Sequence, residues 1–216
     1  MLSLRLKKIT EFLEPTDKVV DIGCDHGYLG IYATKEKLVK SIILTDIKES
    51  ALSMARKNVA KSNLDIPMLV SDGLDNIKAC DINTVVISGM GTSTILHILS
   101  NKEKLVNVNK LILQSNNNLD TLRAEVLKLG YQLVDEKTVK DNDIWYIICL
   151  FKRKKTIKYG LIKKDKVGYF EYLIASKKEI LEKLENSENN NLKENNKKEI
   201  KTLEKLLEEC RAISTD

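Results

Sequence analysis

Acidic residues and glycines recur where apolar, strand-like runs of the chain end. Asp21 and Gly23 follow one run, Asp46 follows the next, and Asp72 and Gly73 follow a third. In an open α/β sheet, ligands bind at the carboxyl edge of the strands. Glycine at that edge allows a tight turn or lets the backbone approach a ligand closely. These residues therefore predict a ligand site that is rich in carboxylates.

The first of these loops does not match the common phosphate sites. Its sequence, DIGCDHGYLG, spaces the glycines as G-x-x-x-G-x-x-G, which is neither the GxGxxG of dinucleotide sites nor a GKS/GKT loop. A pyrophosphate needs bare amides at a helix N-terminus, and Asp21 and Asp25 would repel it. Two carboxylates suit a cationic ligand that carries an ammonium and a sulfonium.

The next two strand ends add the features of an adenosine site. Asp46 stands about 20 residues further on, where a carboxylate accepts hydrogen bonds from both ribose hydroxyls, and Asp72 is placed to meet the adenine edge. Each carboxylate alone would more often be a loop residue or a helix N-cap. Three in register on successive strand ends favour an adenosine with a positive, phosphate-free tail, which is S-adenosylmethionine.

The elements that would position these residues indicate an α/β fold. Five near-continuous apolar runs separated by helical stretches are typical of a parallel sheet covered on both faces. Two further strand-like runs, joined by a polar turn at 141–143, predict an antiparallel hairpin that closes a seven-stranded, mostly parallel, Rossmann-like sheet. The predicted strands are 18–23, 41–47, 67–73, 84–90, 110–116, 131–141 and 143–154, and two predicted helices are 49–63 and 119–130.

From about Tyr169 the apolar spacing is purely helical. One stripe includes Ile174, Ile180 and Leu181, a second includes Ile200 and Leu207, and a polar Asn-rich stretch at 186–196 suits a turn between them. The pattern predicts an antiparallel α-hairpin, either a protruding coiled-coil arm or two helices packed on the main domain. We expect a domain boundary between residues 157 and 158, with a catalytic domain at 1–157 and a helical domain at 158–216.

Charge is concentrated in one short segment. The chain carries a formal net charge of +5, residues 1–150 are balanced, and residues 151–168 hold eight Lys or Arg against one Asp. A compact basic segment on a neutral body is typical of a partner with phosphates, although a solvated Lys-rich linker would look the same. The candidate RNA-binding residues are Lys152, Arg153, Lys154, Lys155, Lys158, Lys163 and Lys164, and Arg5, Lys7 and Lys8 could extend this surface.

Composition narrows the class of protein. The four cysteines are far apart and have no CxxC or Cys/His spacing, so the sequence predicts no disulfide framework and no metal site. There is no apolar stretch of 18 residues and no signal-peptide pattern at the start. We therefore expect a cytoplasmic protein, with no membrane partner.

The motifs together resemble a known family. VVDIGCDHGYLGIY, TDI, SDGL, VVISGMG, LILQSN and the C-terminal helical pair are similar to the bacterial tRNA adenine-22 N1-methyltransferases (TrmK family), a class I methyltransferase group. The resemblance implies transfer of a methyl group from S-adenosylmethionine to N1 of an adenine in the D-loop region of tRNA, by an enzyme with a C-terminal coiled-coil arm. We also expect a monomer.

Two positions depart from the family pattern. Thr92 stands where the family usually has a further glycine after Gly-Met-Gly, and Ser115 stands where it usually has the proline of LQPN. Both lie near the expected substrate side, so they could alter the loop conformation there while leaving the cofactor residues intact.

The residues at the fourth strand end indicate which kind of adenine nitrogen accepts the methyl group. Enzymes that methylate an exocyclic amine carry [DN]PP[YFW] here, whereas this chain has SGMG at 88–91. Ring N1 has a lone pair, so transfer to it needs alignment and stabilisation of the positive charge that develops on adenine, and no covalent nucleophile. Cys24 and Cys80 are then structural. The candidates for catalysis and adenine contact are Asp25, His26, Tyr28, Met90, Gln114 and Asn116.

Several of these roles stay open at this stage. His26 and Tyr28 could stack on a flipped base or hydrogen-bond to it, but His26 could equally shape its loop or hold the cofactor carboxylate. Gln114 and Asn116 could read an adenine edge or cap a loop, and Asp25 could contact the cofactor or accept from adenine N6-H. The expected cofactor contacts are Asp21, Gly23, Cys24, Asp25, His26, Gly27, Asp46, Ile47, Asp72, Gly73, Gly89 and Met90.

Two other functions compete with tRNA methylation. The chain could methylate another RNA, a small molecule or a protein, in which case the basic segment is incidental. It could also be a non-catalytic RNA-binding scaffold, although the intact acidic strand ends argue against that.

Overall fold

The computed structural model describes residues 2–153, 167–184 and 190–212. These residues belong to two compact units, one within Met1–Gly160 and one within Leu161–Asp216. The first unit is an α/β body and the second is a pair of helices.

The body alternates strands and helices along the chain. Short 3-10 helices lie at Ala79–Asp81 and Lys102–Leu105. The regular elements are α1 (Leu4–Thr10), β1 (Lys18–Ile22), α2 (Tyr28–Lys35), β2 (Ser41–Asp46), α3 (Glu49–Lys61), β3 (Met68–Val70), β4 (Thr84–Met90), α4 (Thr92–Leu99), β5 (Lys110–Ser115), α5 (Leu119–Lys128), β6 (Tyr131–Asp141) and β7 (Ile144–Arg153).

The seven strands form one sheet in the order β3-β2-β1-β4-β5-β7-β6. Strands β1 to β5 run parallel, and β7 pairs antiparallel with both β5 and β6. The predicted Rossmann-like class and its closing hairpin are confirmed. Strand β3, at three residues, is shorter than the predicted 67–73, whereas β4 spans the predicted residues.

The central strands supply most of the core. Val85, Val86 and Ile87 of β4 are fully buried, as are Leu111 and its two successors in β5. Both faces of these strands are covered, which is why their sequences are continuous apolar runs rather than alternating ones.

A buried ion pair fastens the amino-terminal edge of the sheet. Lys110 at the start of β5 donates to Asp17 Oδ2 at 2.7 Å and to the Phe12 carbonyl at 3.2 Å. Thr84 Oγ1 at the start of β4 donates to the other Asp17 oxygen at 3.0 Å. The segment that follows α1 is thereby held against two strands, and α1 packs on α2, β6 and β7.

The β6–β7 turn lies at the opposite, carboxyl-terminal edge. Asn142 and Asp143 both have positive φ, at 49° and 63°, as a tight two-residue hairpin turn requires. The Arg5 amide of α1 donates to Asp141 Oδ2 at 3.0 Å. This contact places the start of α1 beside the edge where the parallel strands end.

The second unit contains α6 (Val167–Leu184) and α7 (Asn190–Ala212). Ion pairs join Glu171 to Arg211 at 2.7 Å and Lys178 to Glu204 at 3.0 Å, an order that makes the helices antiparallel. Buried and half-buried apolar residues lie between them: Ile174, Ile200, Leu207, Val167, Phe170, Leu181 and Leu203. The predicted antiparallel pair is confirmed.

Two details of the helical prediction are wrong. Ile180 is exposed because it lies beside the packed stripe rather than in it. The Asn-rich stretch is not a turn throughout, because α7 already begins at Asn190. Asn196 is accommodated in this helix because its side chain donates to the Leu192 carbonyl at 3.0 Å. The apolar stripe that contains Ile200 and Leu207 is also predicted to include Ile213, which lies outside the described residues.

Candidate active site

The β1–α2 loop forms one wall of a cleft at the carboxyl-terminal edge of the sheet. The Gly23 and Cys24 amides both donate to the Thr45 carbonyl at 2.9 Å, and the Gly27 amide donates to the Cys24 carbonyl at 2.8 Å. Gly23 has φ of 73°, and a Cβ there would lie 2.3 Å from Met90 Cε. The loop therefore needs glycine at this position, both for its turn and for the close approach of Met90.

Asp21 is a buried carboxylate at the base of this cleft. The residue is 5% exposed, and burial, together with the nearby charge of Asp46, raises the pKa of its carboxyl to about 7. Among the described residues, none donates a hydrogen bond to this carboxylate. A buried acid of this kind is stabilised in its charged form by a cationic ligand.

Asp46 at the end of β2 faces the same loop. Its Oδ1 accepts from the Lys48 amide at 2.9 Å, and its Oδ2 accepts from the Asp25 amide at 3.4 Å. Asp25 adopts the left-handed conformation with φ of 49°. Ile47, next to Asp46, is 60% exposed, so it presents an apolar surface at the same strand end.

His26 and Tyr28 form an aromatic pair at the mouth of the cleft. Their ring centroids are 5.5 Å apart with a tilt of 34°, and His26 Nε2 lies 3.5 Å from Asp25 Oδ2. His26 Nδ1 is buried and has no partner in the described part of the chain. Asn58 of α3 donates to the His26 carbonyl at 3.0 Å, which fixes the backbone that carries the imidazole.

Ser88 at the end of β4 also lines the cleft, and the end of β5 pairs with that strand end. Gln114 is 1% exposed, and its Oε1 accepts from the Gly89 amide at 2.9 Å and from Ser88 Oγ at 3.0 Å. Asn116 donates from Nδ2 to the Gly89 carbonyl at 2.8 Å. The two amides predicted to read adenine are thus both bonded within the chain, and their contact with a substrate stays a prediction.

Arg5 of α1 reaches into this cleft. It lines the cleft with Asp21, Asp25 and Ser88. Its Nη1 donates to Gln114 Oε1 at 3.2 Å, and its guanidinium lies over the Tyr146 ring at 5.2 Å. The sequence alone predicts Arg5 only as part of an RNA surface, because no local pattern links it to a residue 109 positions away.

The third strand end and Cys24 complete the predicted cofactor residues. Asp72 is exposed, and the Ser71 hydroxyl donates to the Gly73 carbonyl at 3.0 Å. Cys24 is 8% exposed, and burial together with the charges of Asp21 and Asp46 raises the pKa of its thiol. The thiol therefore stays protonated near neutral pH, which favours the structural role predicted for it.

A larger groove lies at the other edge of the sheet. Its volume is about 560 Å³, and it is lined by residues at the starts of β1 and β2, including Lys18 and Ser41. The acidic strand ends and the aromatic pair are at the opposite edge, where open α/β sheets bind their ligands. The smaller cleft is therefore the candidate site.

The folded body matches a known family. A family model described as a methyltransferase domain matches residues 2–149, more than half of the chain. The chain belongs to this methyltransferase family. Within the described residues, no group of three or more His, Cys, Asp or Glu side chains could hold a metal ion, and no helix has the length and apolar character that crossing a membrane requires.

Relatives of the methyltransferase include tRNA-modifying enzymes. A tRNA (adenine(22)-N(1))-methyltransferase of Bacillus subtilis is 34% identical over 148 residues, 67% of this chain and 62% of that relative. A Mycoplasma genitalium protein provisionally named a tRNA methyltransferase is 36% identical over 143 residues, 65% of this chain and 64% of that relative. The matched segment therefore spans just under two thirds of the length of these curated relatives.

A solved structure resembles the methyltransferase over nearly its full length. It is that of M. capricolum TrmK in complex with its cofactor product S-adenosyl-homocysteine. The identity is 26% and the TM-score is 0.82, with 97% of this chain and 99% of that chain covered. The resemblance to the TrmK family inferred from the motifs is confirmed.

The two departures from the family pattern contact each other in this methyltransferase. Thr92 Oγ1 lies 2.8 Å from Ser115 Oγ and donates to the Asn117 carbonyl at 2.7 Å. The Thr92 amide donates to Asn117 Oδ1 at 2.9 Å, which supplies a cap to the start of α4. The hydroxyl pair thus joins the β4–α4 connection to the β5–α5 connection.

Lys152 and Arg153 lie away from the cleft. Lys152 pairs with Lys110 in the sheet register, so both basic residues lie at the amino-terminal edge. Lys152 Nζ is 3.3 Å from a Glu14 oxygen, and the Arg153 guanidinium donates to the Leu105 carbonyl at 2.7 Å. The other predicted RNA-binding residues, Lys154, Lys155, Lys158, Lys163 and Lys164, lie outside the described residues.

Proposed function

We propose that the chain is an S-adenosylmethionine-dependent methyltransferase that methylates N1 of adenine 22 in tRNA. The observation that carries the proposal is the buried, unbonded Asp21 carboxylate beside Asp46, on the strand edge of a methyltransferase fold. The Bacillus subtilis relative bears the name of this activity, and the M. capricolum structure holds the demethylated cofactor.

The residues present fit this cofactor. Asp21 offers an unpaired buried acceptor to the ammonium of its methionine portion, and Asp46 stands at the strand end where ribose hydroxyls are bound. Asp72 and the exposed Ile47 would meet the adenine ring. Gly23 has no Cβ, which this loop needs both for its turn and for the close approach of Met90.

The methyl group supplied by S-adenosylmethionine is electrophilic because it is bonded to a sulfonium. The chain's own task is to align adenine N1 with that methyl group and to stabilise the positive charge that develops on the base. His26 and Tyr28, which flank the mouth of the cleft, would stack on the flipped base, and the Asp25 carboxylate would accept from its N6-H. Met90 would pack against it from the end of β4.

Nucleoside mapping by mass spectrometry tests the proposal directly. An unmodified tRNA transcript is incubated with enzyme and S-adenosylmethionine, and we expect 1-methyladenosine at position 22. A transcript with guanine at that position is the matched control and should gain no methyl group. Methylation of the control, or of N6 in place of N1, would contradict the assignment.

Salt dependence separates an RNA substrate from the alternatives. If the enzyme neutralises several phosphates, its affinity for tRNA should fall steeply as ionic strength rises. A flat response would favour a small-molecule or protein substrate, and failure to bind S-adenosylmethionine would favour a non-catalytic scaffold. The cytoplasmic location, the monomeric state and the RNA contacts of the basic segment stay predictions.

A further inference from the structure

Two amide side chains hold the Gly89 peptide groups from both sides. Gln114 Oε1 accepts from the Gly89 amide at 2.9 Å, and Asn116 Nδ2 donates to the Gly89 carbonyl at 2.8 Å. Gln114 Nε2 donates to Asn116 Oδ1 at 3.0 Å, which fixes the orientation of both amides. The three bonds close a ring around Gly89.

The same Gln114 oxygen also accepts hydrogen bonds from two residues beside this ring. It accepts from Ser88 Oγ at 3.0 Å and from Arg5 Nη1 at 3.2 Å. Because Gln114 is 1% exposed and its oxygen and nitrogen are both bonded within the chain, its side chain has little surface left for a substrate. The hydrogen bonds of Gln114 therefore support the protein backbone.

Gly89 is a position where the backbone needs this support. It has φ of 82°, and a Cβ would approach Arg5 Nη1 to 3.0 Å. The strand pairing shifts register between Ser88 and Met90, so the regular ladder does not hold this residue. Met90, immediately after it, packs against Gly23 of the cofactor loop, so a shift at Gly89 would move the side chain that packs against this loop.

We propose that Gln114 and Asn116 are positioning residues for methyl transfer, with Arg5 as their anchor on α1. This inference rests on the proposed function for the reaction that it serves. The pair sets the backbone of 88–90, and with it the placement of Met90 against the cofactor loop, and this role needs no contact between the buried Gln114 side chain and the substrate. Removing the pair lowers the rate of transfer more than it lowers the affinity for either ligand.

The test compares Gln114→Leu with a control at the other end of the same strand pair. Asn83 Oδ1 accepts from the Lys18 amide at 2.8 Å, and Asn83 Nδ2 donates to the Thr16 carbonyl at 3.3 Å, so Asn83→Leu also removes an amide that holds β1 beside β4. Single-turnover methylation of the tRNA transcript should slow about 100-fold in Gln114→Leu, because a misplacement of about 1 Å costs that much. The rate in Asn83→Leu should be unchanged even where its Tm falls.

A conservative variant and an independent signal complete the experiment. Gln114→Glu keeps an oxygen for the Gly89 amide and should retain more of the rate than Gln114→Leu. In the free protein, the Gly89 amide should exchange with solvent faster in Gln114→Leu than in the wild type and in Asn83→Leu, as NMR would show. This exchange readout requires no methylation.

The outcomes separate the two proposals. The positioning role would be overturned if Gln114→Leu kept the wild-type rate, or if Asn83→Leu lost as much rate as Gln114→Leu. It would also be overturned if Gln114→Leu bound tRNA more weakly but transferred the methyl group at a normal rate. Unchanged exchange at Gly89 would also overturn it. If the wild type methylates no tRNA while Gly89 exchange still responds as expected, the proposed reaction is wrong and the positioning of Gly89 holds.

Discussion

Asp21 should make the free protein less stable as pH rises. Burial and the charge of Asp46 raise its pKa to about 7, against 3.8 for an ordinary aspartate. The unfolded chain therefore loses this proton near pH 4 and the folded chain only near pH 7. Between these values the folded state binds more protons, so the free energy of unfolding falls as pH rises.

The size of this effect follows from the two pKa values. The difference between about 7 and 3.8 corresponds to about 4 kcal/mol at 1.36 kcal/mol per pKa unit, present in full above pH 7. Asp21→Asn removes the charge and keeps the shape, so it should raise the Tm at pH 8 by up to about 10 °C. The gain should be smaller at pH 5.

The stabilised variant should lose its ligand. A cationic group beside Asp21 lowers the pKa of that carboxyl, so wild-type binding of S-adenosylmethionine near pH 6.5 should release protons. Calorimetry in two buffers of different ionisation enthalpy measures that release. Asp21→Asn should show weak binding and no proton release from this position.

A second buried aspartate provides the control. Asp17 pairs with Lys110 at 2.7 Å, so Asp17→Asn should lower the Tm instead of raising it. The reasoning is refuted if Asp21→Asn is no more stable than the wild type at pH 8, or if it gains equally at pH 5 and pH 8. If Asp21→Asn binds S-adenosylmethionine as tightly as the wild type does, Asp21 is not the site that binds the cationic group.

Two further predictions concern contacts outside the cofactor site. A double-mutant cycle on Thr92→Val and Ser115→Ala, followed by urea unfolding, should give a coupling energy of about 1 kcal/mol, and strictly additive losses would contradict the hydroxyl pair. Arg153→Ala should destabilise the body by about 1 to 2 kcal/mol, because its guanidinium holds the Leu105 carbonyl. Lys152→Ala should cost less than about 0.5 kcal/mol, and equal losses in urea unfolding would count against this difference.

The sheet was predictable because its signals are local. Strand β4 needs apolar side chains on both faces, and its predicted bounds are those of the structure. The end of β2 at Asp46 was marked by the polar residue that follows an apolar run. A strand that is buried on both faces can be recognised from its sequence because few residue types tolerate burial on both faces.

Roles that depend on distant partners were not predictable. In the sequence, Gln114 is a candidate for reading adenine or capping a loop, whereas in the structure it is buried and accepts from the Gly89 amide and from Arg5 Nη1. Arg153 is one cation in a basic run, and only the folded chain shows it holding the Leu105 carbonyl. The meeting of Thr92 with Ser115 likewise requires two loops that are adjacent only in the sheet.

The ion pair between Lys110 and Asp17 at the amino-terminal edge of the sheet bears on where stabilising substitutions can be made. That edge is tied by a buried ion pair and by Thr84, whereas the other edge holds an unpaired buried carboxylate and several left-handed residues. A search for heat-resistant variants would find most of its stabilising substitutions at residues such as Asp21, where the substitution also lowers activity. Durable and active variants should therefore be sought on the outer helices, where neither edge is disturbed.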